Sequence, residues 1–406
     1  MAEDRTHARY VVAQMGSRLH YSVPRSLHAA RRLERLYTDI CASKGIISWF
    51  RLLPPSLQPN RLKKLLGRTP RGIPQHKVMD FKQQAFRARA SRKKAMSRAA
   101  IVAHNHETAR AFCRSVVEAG LGSASGVYAF KSAALEIFQL ARSLGLCTVL
   151  DQTGALTESY WRMSAEEEKR YPDWQARGAL GTSELEAYCE RERRERELAD
   201  IILCPSHYVI TSLLPGGVEA GKCRLVPYGY DMPENRYSPR NRHASSTLHV
   251  LIVGSVRLEK GIQYALEAAE TLGRGFIFRA VGDIQLLPEA RRRVGARIEL
   301  KGQVPWSDLE KHYQWADVLL FPTLSDSFGL VQVEAMAQGL PVITTPHAGE
   351  VVRDGRDGFI VPIRDAEAIA EKLYRLAMDR DLLESASCEA YERARDFNMA
   401  RYSETL

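Results

Sequence analysis

No run of eighteen apolar residues occurs in the sequence, so no membrane-spanning helix is expected. The opening residues, MAEDRTHARYVVAQ, lack the charged-then-apolar pattern of a secretory signal. Seven cysteines are scattered along the chain without a CxxC pair or a histidine partner at ligand spacing. They predict a reducing cytoplasm, no structural zinc and no other metal. Acidic residues are scarce in one region: between Arg51 and Ala100 the only acid is Asp80. The cations there include Lys63, Lys64, Arg68, Arg71, Lys77, Lys82, Arg87, Arg89, Arg92, Lys93, Lys94 and Arg98. Three readings fit such a stretch: a solvated face, attraction to an anionic membrane surface or phosphate-linked acceptor, or nucleic-acid binding. No recognition motif accompanies it, so nucleic acid is not expected.

What is present reads as an α/β protein. The 406 residues suffice for two domains, and an apolar content of 45% with 26% charged residues is ordinary for a globular chain of that class. The most informative stretch is FPTLSDSFGLVQVEAMAQGLPVI, from Phe321 to Ile343. Asp317 to Pro322 reads as a buried strand, and Ser325, Asp326 and Ser327 offer helix-capping oxygens. Leu330, Val331, Val333, Met336 and Ala337 form most of an apolar helix that Gly339 ends, and Pro341 to Thr345 starts another strand. Glu334 is a carboxylate inside that apolar helix. Buried there, it requires hydrogen-bond donors, from a neighbouring side chain or amide, or from a ligand's hydroxyls. Free amides at Ser327, Phe328, Gly329 and Leu330 would favour an anion at the helix start. Glu334 would lie roughly 10 Å farther along, about the span from a diphosphate to the far edge of a ribose. Asp326, at the helix mouth, would then face a sugar beyond the phosphates.

Asp326 and Glu334, with seven residues between them, flank Phe-Gly-Leu and lead into Glu-Ala-Met-Ala. This resembles the E-x7-E signature of retaining glycosyltransferases with the GT-B fold, glycosyltransferase family 4 in particular. The likeness continues through Gly339-Leu-Pro-Val-Ile, Gly349, Asp354-Gly355 and Gly358-Phe-Ile-Val-Pro362. It departs at Asp326, where the family usually has glutamate. The loop Gly254-Ser-Val-Arg257-Leu-Glu-Lys260-Gly261 is similar to the family's G-R-x4-K-G loop, with Ser255 in place of arginine and Arg257 two residues on. Cations in that loop suit the charge of a departing diphosphate. Gly302, Gln303 and Val304 stand where the family's backbone reads the nucleotide base. Asp151 occupies the position of a family histidine near the donor sugar.

The remainder is read from local pattern. Tyr10 to Gln14 is a strand candidate, leading to a Gly16 turn on the donor side and a helical run from Pro24 to Tyr37. Ile46 to Leu53, with Trp49 and Phe50 beside Arg51, reads as a lip loop or an interfacial anchor. Ala99 to Ala103 reads as a strand that ends in His104-Asn-His106, two histidines suited to acid–base work or to gripping an acceptor hydroxyl. Gly126 to Phe130, Ser132 to Leu144 and Cys147 to Leu150 form a strand–helix–strand unit. Thr157 to Asp200 reads as helical, and the mixed charges from Glu190 to Glu197 as a solvated face. Asp379-Arg-Asp381 follows a surface helix and reads as a chance DxD.

The expected fold is α/β, GT-B, two Rossmann-like domains facing a central cleft. Residues 1–231 form the acceptor-side domain, 232–247 a linker, 248–390 the nucleotide-sugar domain, and 391–406 a helix crossing back. The resemblance implies a retaining transfer from a nucleotide diphosphate sugar to a glycan or lipid-linked acceptor, with no cofactor, in bacterial cell-surface polysaccharide synthesis. Lys260 and Arg257 would neutralise the diphosphate, Asp326 would orient the sugar, and Glu334 would hold the ribose. With water as acceptor the same fold gives a hydrolase or an epimerase, and the basic stretch alone would make a non-catalytic binder of anionic polymers. The expected place is the cytoplasm, peripheral on the inner face of the plasma membrane.

Overall fold

In the computed structural model the described residues are 8–42, 66–92, 97–176, 178, 181–232 and 247–406. They build two sheets in which every strand pair is parallel. The first contains β1 (Tyr10–Gln14), β2 (Leu33–Thr38), β3 (Val78–Asp80), β4 (Gly126–Phe130), β5 (Cys147–Asp151), β6 (Ile201–Cys204) and β7 (Cys223–Leu225), in the order β3-β2-β1-β4-β5-β6-β7. The second contains β8 (Leu248–Val253), β9 (Phe276–Val281), β10 (Ile298–Gly302), β11 (Val318–Phe321), β12 (Val342–Thr344) and β13 (Gly358–Ile360), in the order β10-β9-β8-β11-β12-β13. Each order reverses once, between β1 and β4 and between β8 and β11. Ligands of doubly wound sheets bind at such a reversal, outside the carboxyl ends of the strands. The loops after β1 and β11 therefore stand where a ligand would bind.

Two elements differ from the local reading. Pro24 to Tyr37 is not one helix. A helix spans Ser22–Ala29, Arg31 turns the chain at φ 59°, and β2 follows. Leu33, Leu36 and Tyr37 carry a helix-like spacing, but they are buried in a strand flanked by β1 and β3, where period says little. Ala99 to Ala103 is not a strand: it opens a helix, Arg98–Ala119, whose Ser97 cap accepts from the Ala100 amide. Buried Val102, Ala109, Phe112, Cys113 and Val116 carry its apolar face past the two histidines. Residues 157–200 form two helices, Thr157–Arg170 and Ser183–Leu198.

The solvated face expected from Glu190 to Glu197 is half wrong: Arg191, Glu192, Glu195 and Arg196 are buried. The cause lies after β4, where helix Leu135–Ser143 starts without a side-chain cap on its N-cap residue, Ala134. Glu195 accepts the amides of Ser132, Ala134 and Leu135 instead, and Arg191 pairs with Glu136 at 2.6 Å.

Two crossings tie the halves together. Helix Met399–Thr405 packs Tyr402 into the first half's apolar cluster, and Ser403 meets Ser26 at 2.7 Å. In the other direction, residues 157–175 leave the first half and dock on the second. Trp174 is buried in the second half's core beside Leu258, Ile262 and Leu266. Glu167, fully buried, accepts from Tyr264 at 2.7 Å, Gln263 at 2.9 Å and Arg364 at 2.6 Å. The reading of Trp49 and Phe50 as a lip or anchor, and most of the linker, lie outside the described residues.

Candidate active site

The loop after β11 runs from Pro322 to Gly329, which takes the left-handed conformation at φ 74° and opens the short helix Leu330–Met336. Asp326 lies at its tip. Its carboxylate accepts the Phe328 amide at 3.2 Å and pairs closely with the Lys260 ammonium. That amide was expected for phosphate; here it faces the aspartate. Burial disfavours the charge on Asp326, but Lys260 and the amides outweigh it and hold the carboxyl below its usual range. Lys260 is delivered by the loop after β8. Gly261, at φ 75°, brings that loop so close that an added Cβ would stand 2.0 Å from the Pro322 carbonyl oxygen. Gly254 donates to the Val281 carbonyl at 3.0 Å, and Gly302 accepts from the Gly282 amide at 2.9 Å, stacking three strand ends together.

Lys260 and Asp326 line a cavity of about 370 Å³ between the halves. Its other wall comes from the first half: Asn105, Lys131, Gly154, Tyr160, Trp161 and Tyr188. Arg257 does not line it. Its guanidinium stands 3.7 Å from buried Glu259 and against the Tyr160 ring, 5.9 Å from its centre. An arginine so engaged shapes the wall.

Glu334 opens to a second cavity, of about 540 Å³, on the other side of the short helix. Tyr313 donates to its carboxylate at 2.8 Å. Burial raises the Glu334 carboxyl above its usual value, with Tyr313 and His20 opposing. The facing wall is the loop after β1. Ser17, Leu19, His20 and Arg25 line it, and Gly16 precedes it with its amide on Asp39 at 2.8 Å. Leu19, His20 and Tyr21 all have positive φ (47°, 50° and 61°), a left-handed turn without a glycine. Each such residue costs about 1–2 kcal/mol, and strain of this kind collects where a site needs a fixed backbone. Leu330 lines the same cavity, and Val304, which does not, packs against the second half's apolar core. Gln303 follows β10 directly.

Other expected site residues lie elsewhere. Phe328 is a core residue between Tyr228 and Phe397, whereas Ser327 does line the Asp326 cavity and presents its carbonyl to Ser206 at 2.6 Å. Asp151 is 2% exposed, with Tyr128 donating at 2.7 Å and Tyr228 at 3.5 Å. It lines neither cavity, because the tyrosines enclose it, so this geometry gives it no contact with a ligand in either. Burial raises its carboxyl to about 6, opposed by Tyr128, Arg18 and Tyr228. His104 and His106 sit on the Arg98–Ala119 helix, His104 against Thr108 at 3.3 Å and His106 edge-on to Tyr188. Burial, with Arg191 and Arg110, lowers the imidazole of His106. Asp379 of the DxD caps the helix Arg380–Ala394. Among the described residues, no three His, Cys, Asp or Glu side chains gather as a metal site, and no helix is long and apolar enough to cross a membrane.

Tyr313, the left-handed turn and the Tyr160–Trp161 wall were not singled out by sequence reasoning. Trp161 lies in a stretch whose pattern says only that it is helical, and nothing in the sequence around Tyr313, on the helix Trp306–Trp315, marks a site.

Residues 247–379 match the family described as Glycosyl transferases group 1. A putative colanic acid biosynthesis glycosyltransferase, WcaL, from Salmonella typhimurium is 32% identical over 212 residues, 47% of this chain and 51% of its own length. D-inositol 3-phosphate glycosyltransferase of Nocardia farcinica is 27% identical over 284 residues, 63% of this chain and 62% of its own. The matched region thus spans about half to three-fifths of these relatives' length. Among solved structures, a sucrose-phosphate synthase from Thermosynechococcus elongatus superposes with a TM-score of 0.65 at 19% identity, over 98% of this chain and 97% of its own. Anabaena HepE, in complex with UDP and glucose, gives 0.62 at 14% identity, with 98% of each chain covered. These likenesses show the fold, the GT-B pairing of two Rossmann-like halves.

Proposed function

We propose, for a chain whose residues 247–379 belong to the glycosyl transferases group 1 family, a retaining transfer of a sugar from a nucleotide diphosphate sugar to a glycan or lipid-linked acceptor in bacterial polysaccharide synthesis. One observation carries the proposal: a single loop and helix at the second sheet's reversal present Asp326 with Lys260 to one cavity and Glu334 to the other. The names of the colanic acid relative above and of an amylovoran biosynthesis glycosyltransferase, AmsK, support the pathway class. UDP and glucose in HepE support the donor class.

In this reading the nucleoside lies in the Glu334 cavity, with ribose hydroxyls donating to the carboxylate. The diphosphate lies over the start of the short helix, and the sugar lies toward Asp326. When the bond from the anomeric carbon to the diphosphate oxygen breaks, Lys260 meets the charge that develops. Asp326, held by that same lysine, is positioned to accept from sugar hydroxyls. The acceptor hydroxyl enters from the Tyr160–Trp161 wall, and its proton passes to the departing phosphate as the new glycosidic bond forms. No protein nucleophile or base is required. Were water the acceptor, the same geometry would hydrolyse the donor; turnover that depends on an added glycan separates the two.

The experiment is a melting-temperature screen of nucleoside diphosphates on wild type and Glu334→Ala. A ligand at 100 times its Kd adds about 2.7 kcal/mol of stability. One diphosphate should stabilise the wild type and leave the variant unmoved. A well-folded wild type indifferent to all of them sinks the reading.

For location, the basic stretch supports an anionic membrane surface. In its described part, Lys82, Arg87 and Arg89 lie on one helix with half-exposed Phe86, next to edge strand β3 and exposed Met79. Binding to phosphatidylglycerol vesicles at low salt, released by high salt, is expected. Protein that stays in the supernatant at low salt rules this out.

A further inference from the structure

The loop that carries Asp326 has no regular structure, yet few of its polar groups are left open. Within the second half, the Asp326 amide donates to the His347 carbonyl at 2.8 Å, and His347 Nδ1 meets the Leu324 carbonyl at 2.9 Å. The groups on either side of Asp326 are taken by the first half. Tyr208 donates its hydroxyl to Ser325 Oγ at 2.8 Å, and Ser206 donates to the Ser327 carbonyl at 2.6 Å. The Tyr208 ring also stacks on His347, 4.8 Å between centres and 21° between planes. From the other side, Glu350 accepts the amides of His207 and Tyr208 at 3.0 and 3.3 Å.

From this arrangement we infer that Tyr208 and Ser206 are positioning residues for the donor-side aspartate. The turn from Ser206 to Tyr208 grips the tripeptide Ser325–Ser327 at both ends, so seating the first half on the second fixes the backbone from which Lys260 and the Phe328 amide hold the Asp326 carboxylate. Docking of the halves and orientation of the donor sugar become one event. A purely adhesive contact would stabilise the protein without caring where Asp326 points, and it would not need to bracket that residue. The role in catalysis rests on the transferase reading above; the grip on the loop does not.

Ser206 is a poor probe, since its hydroxyl also caps its own helix by accepting the Val209 amide at 3.2 Å. Tyr208→Phe removes one hydroxyl and keeps the stacked ring; Ser325→Ala removes the group it meets. In the full-length chain each should lower kcat about three- to tenfold, the worth of one hydrogen bond. The donor KM should stay within about twofold, and the double variant should be no worse than the singles. Backbone amide exchange over residues 324–330, measured on the protein without ligand, should quicken about tenfold in Tyr208→Phe while β8 and β11 keep their protection. Unchanged kcat, a loss confined to KM, or exchange equal to wild type overturns the inference. A wild type that transfers no sugar sinks the transferase reading instead, and the exchange measurement still decides the grip.

Discussion

Asp151 is withdrawn from water while Asp326 lines a cavity with its side chain 20% exposed, and their surroundings push them in opposite directions. Asp326 has a cation and amides; Asp151 has neutral hydroxyls, with Arg18 acting only as a nearby charge. Hydroxyl donors do not offset the lost hydration, so its carboxyl rises from 3.8 to about 6. A carboxyl raised on folding binds its proton more tightly in the native state. Its contribution to stability is therefore full below the unfolded value, near 3.8, and is lost as pH climbs through about 6. The loss amounts to about 3 kcal/mol at most. Asp151→Asn cannot titrate, so its Tm should fall less than wild type's between about pH 4 and pH 8. Calorimetry across that range checks this, and parallel profiles would show that Asp151 does not couple to folding.

Among the elements, the donor loop was the most legible, because Pro322, Gly329 and Gly339 mark its breaks in the sequence itself. The eight-step spacing of Asp326 and Glu334 survives as two side chains serving two cavities, although the helix starts later than the capping residues imply. Ala99 to Ala103 misled because five small and apolar residues carry no period. Only Phe112, Cys113 and Val116, more than two turns on, reveal the helix. Leu33 to Tyr37 misled for the opposite reason, carrying a helical spacing into a strand. The left-handed turn from Leu19 to Tyr21 has no glycine to announce it, and tertiary contacts alone impose it. The grip of Tyr208 on Ser325 joins residues 117 apart in the chain, and no local pattern encodes such a pairing.

At the scale of the molecule, the division into halves by chain position is not the division by packing. Residues 157–175 belong in sequence to the first half, yet the partners that bury them lie in the second. Trp174 is 7% exposed; its carbonyl accepts the Leu287 amide at 2.8 Å, and Gln175 accepts the Leu258 amide at 3.1 Å. Arg98 of the first half meets this arm at Glu168, 3.1 Å away, and reaches Glu259 beyond it at 3.6 Å. The arm also supplies Tyr160 and Trp161 to the Asp326 cavity, so that part of its wall is carried by a segment docked on the second half, while Asn105, Lys131 and Tyr188 belong to the first. Trp174→Ala should therefore remove a plug from the second core and cost about 3–5 kcal/mol, the usual toll for a buried tryptophan. The loss should fall on the half that does not contain residue 174. Amide exchange resolved by peptide should show β8, β9 and β11 losing protection while β1, β4 and β5 keep theirs. If the first sheet opens instead, or both open together, the arm is an ordinary part of the domain that precedes it, and its part of the cavity wall belongs to the first half as well.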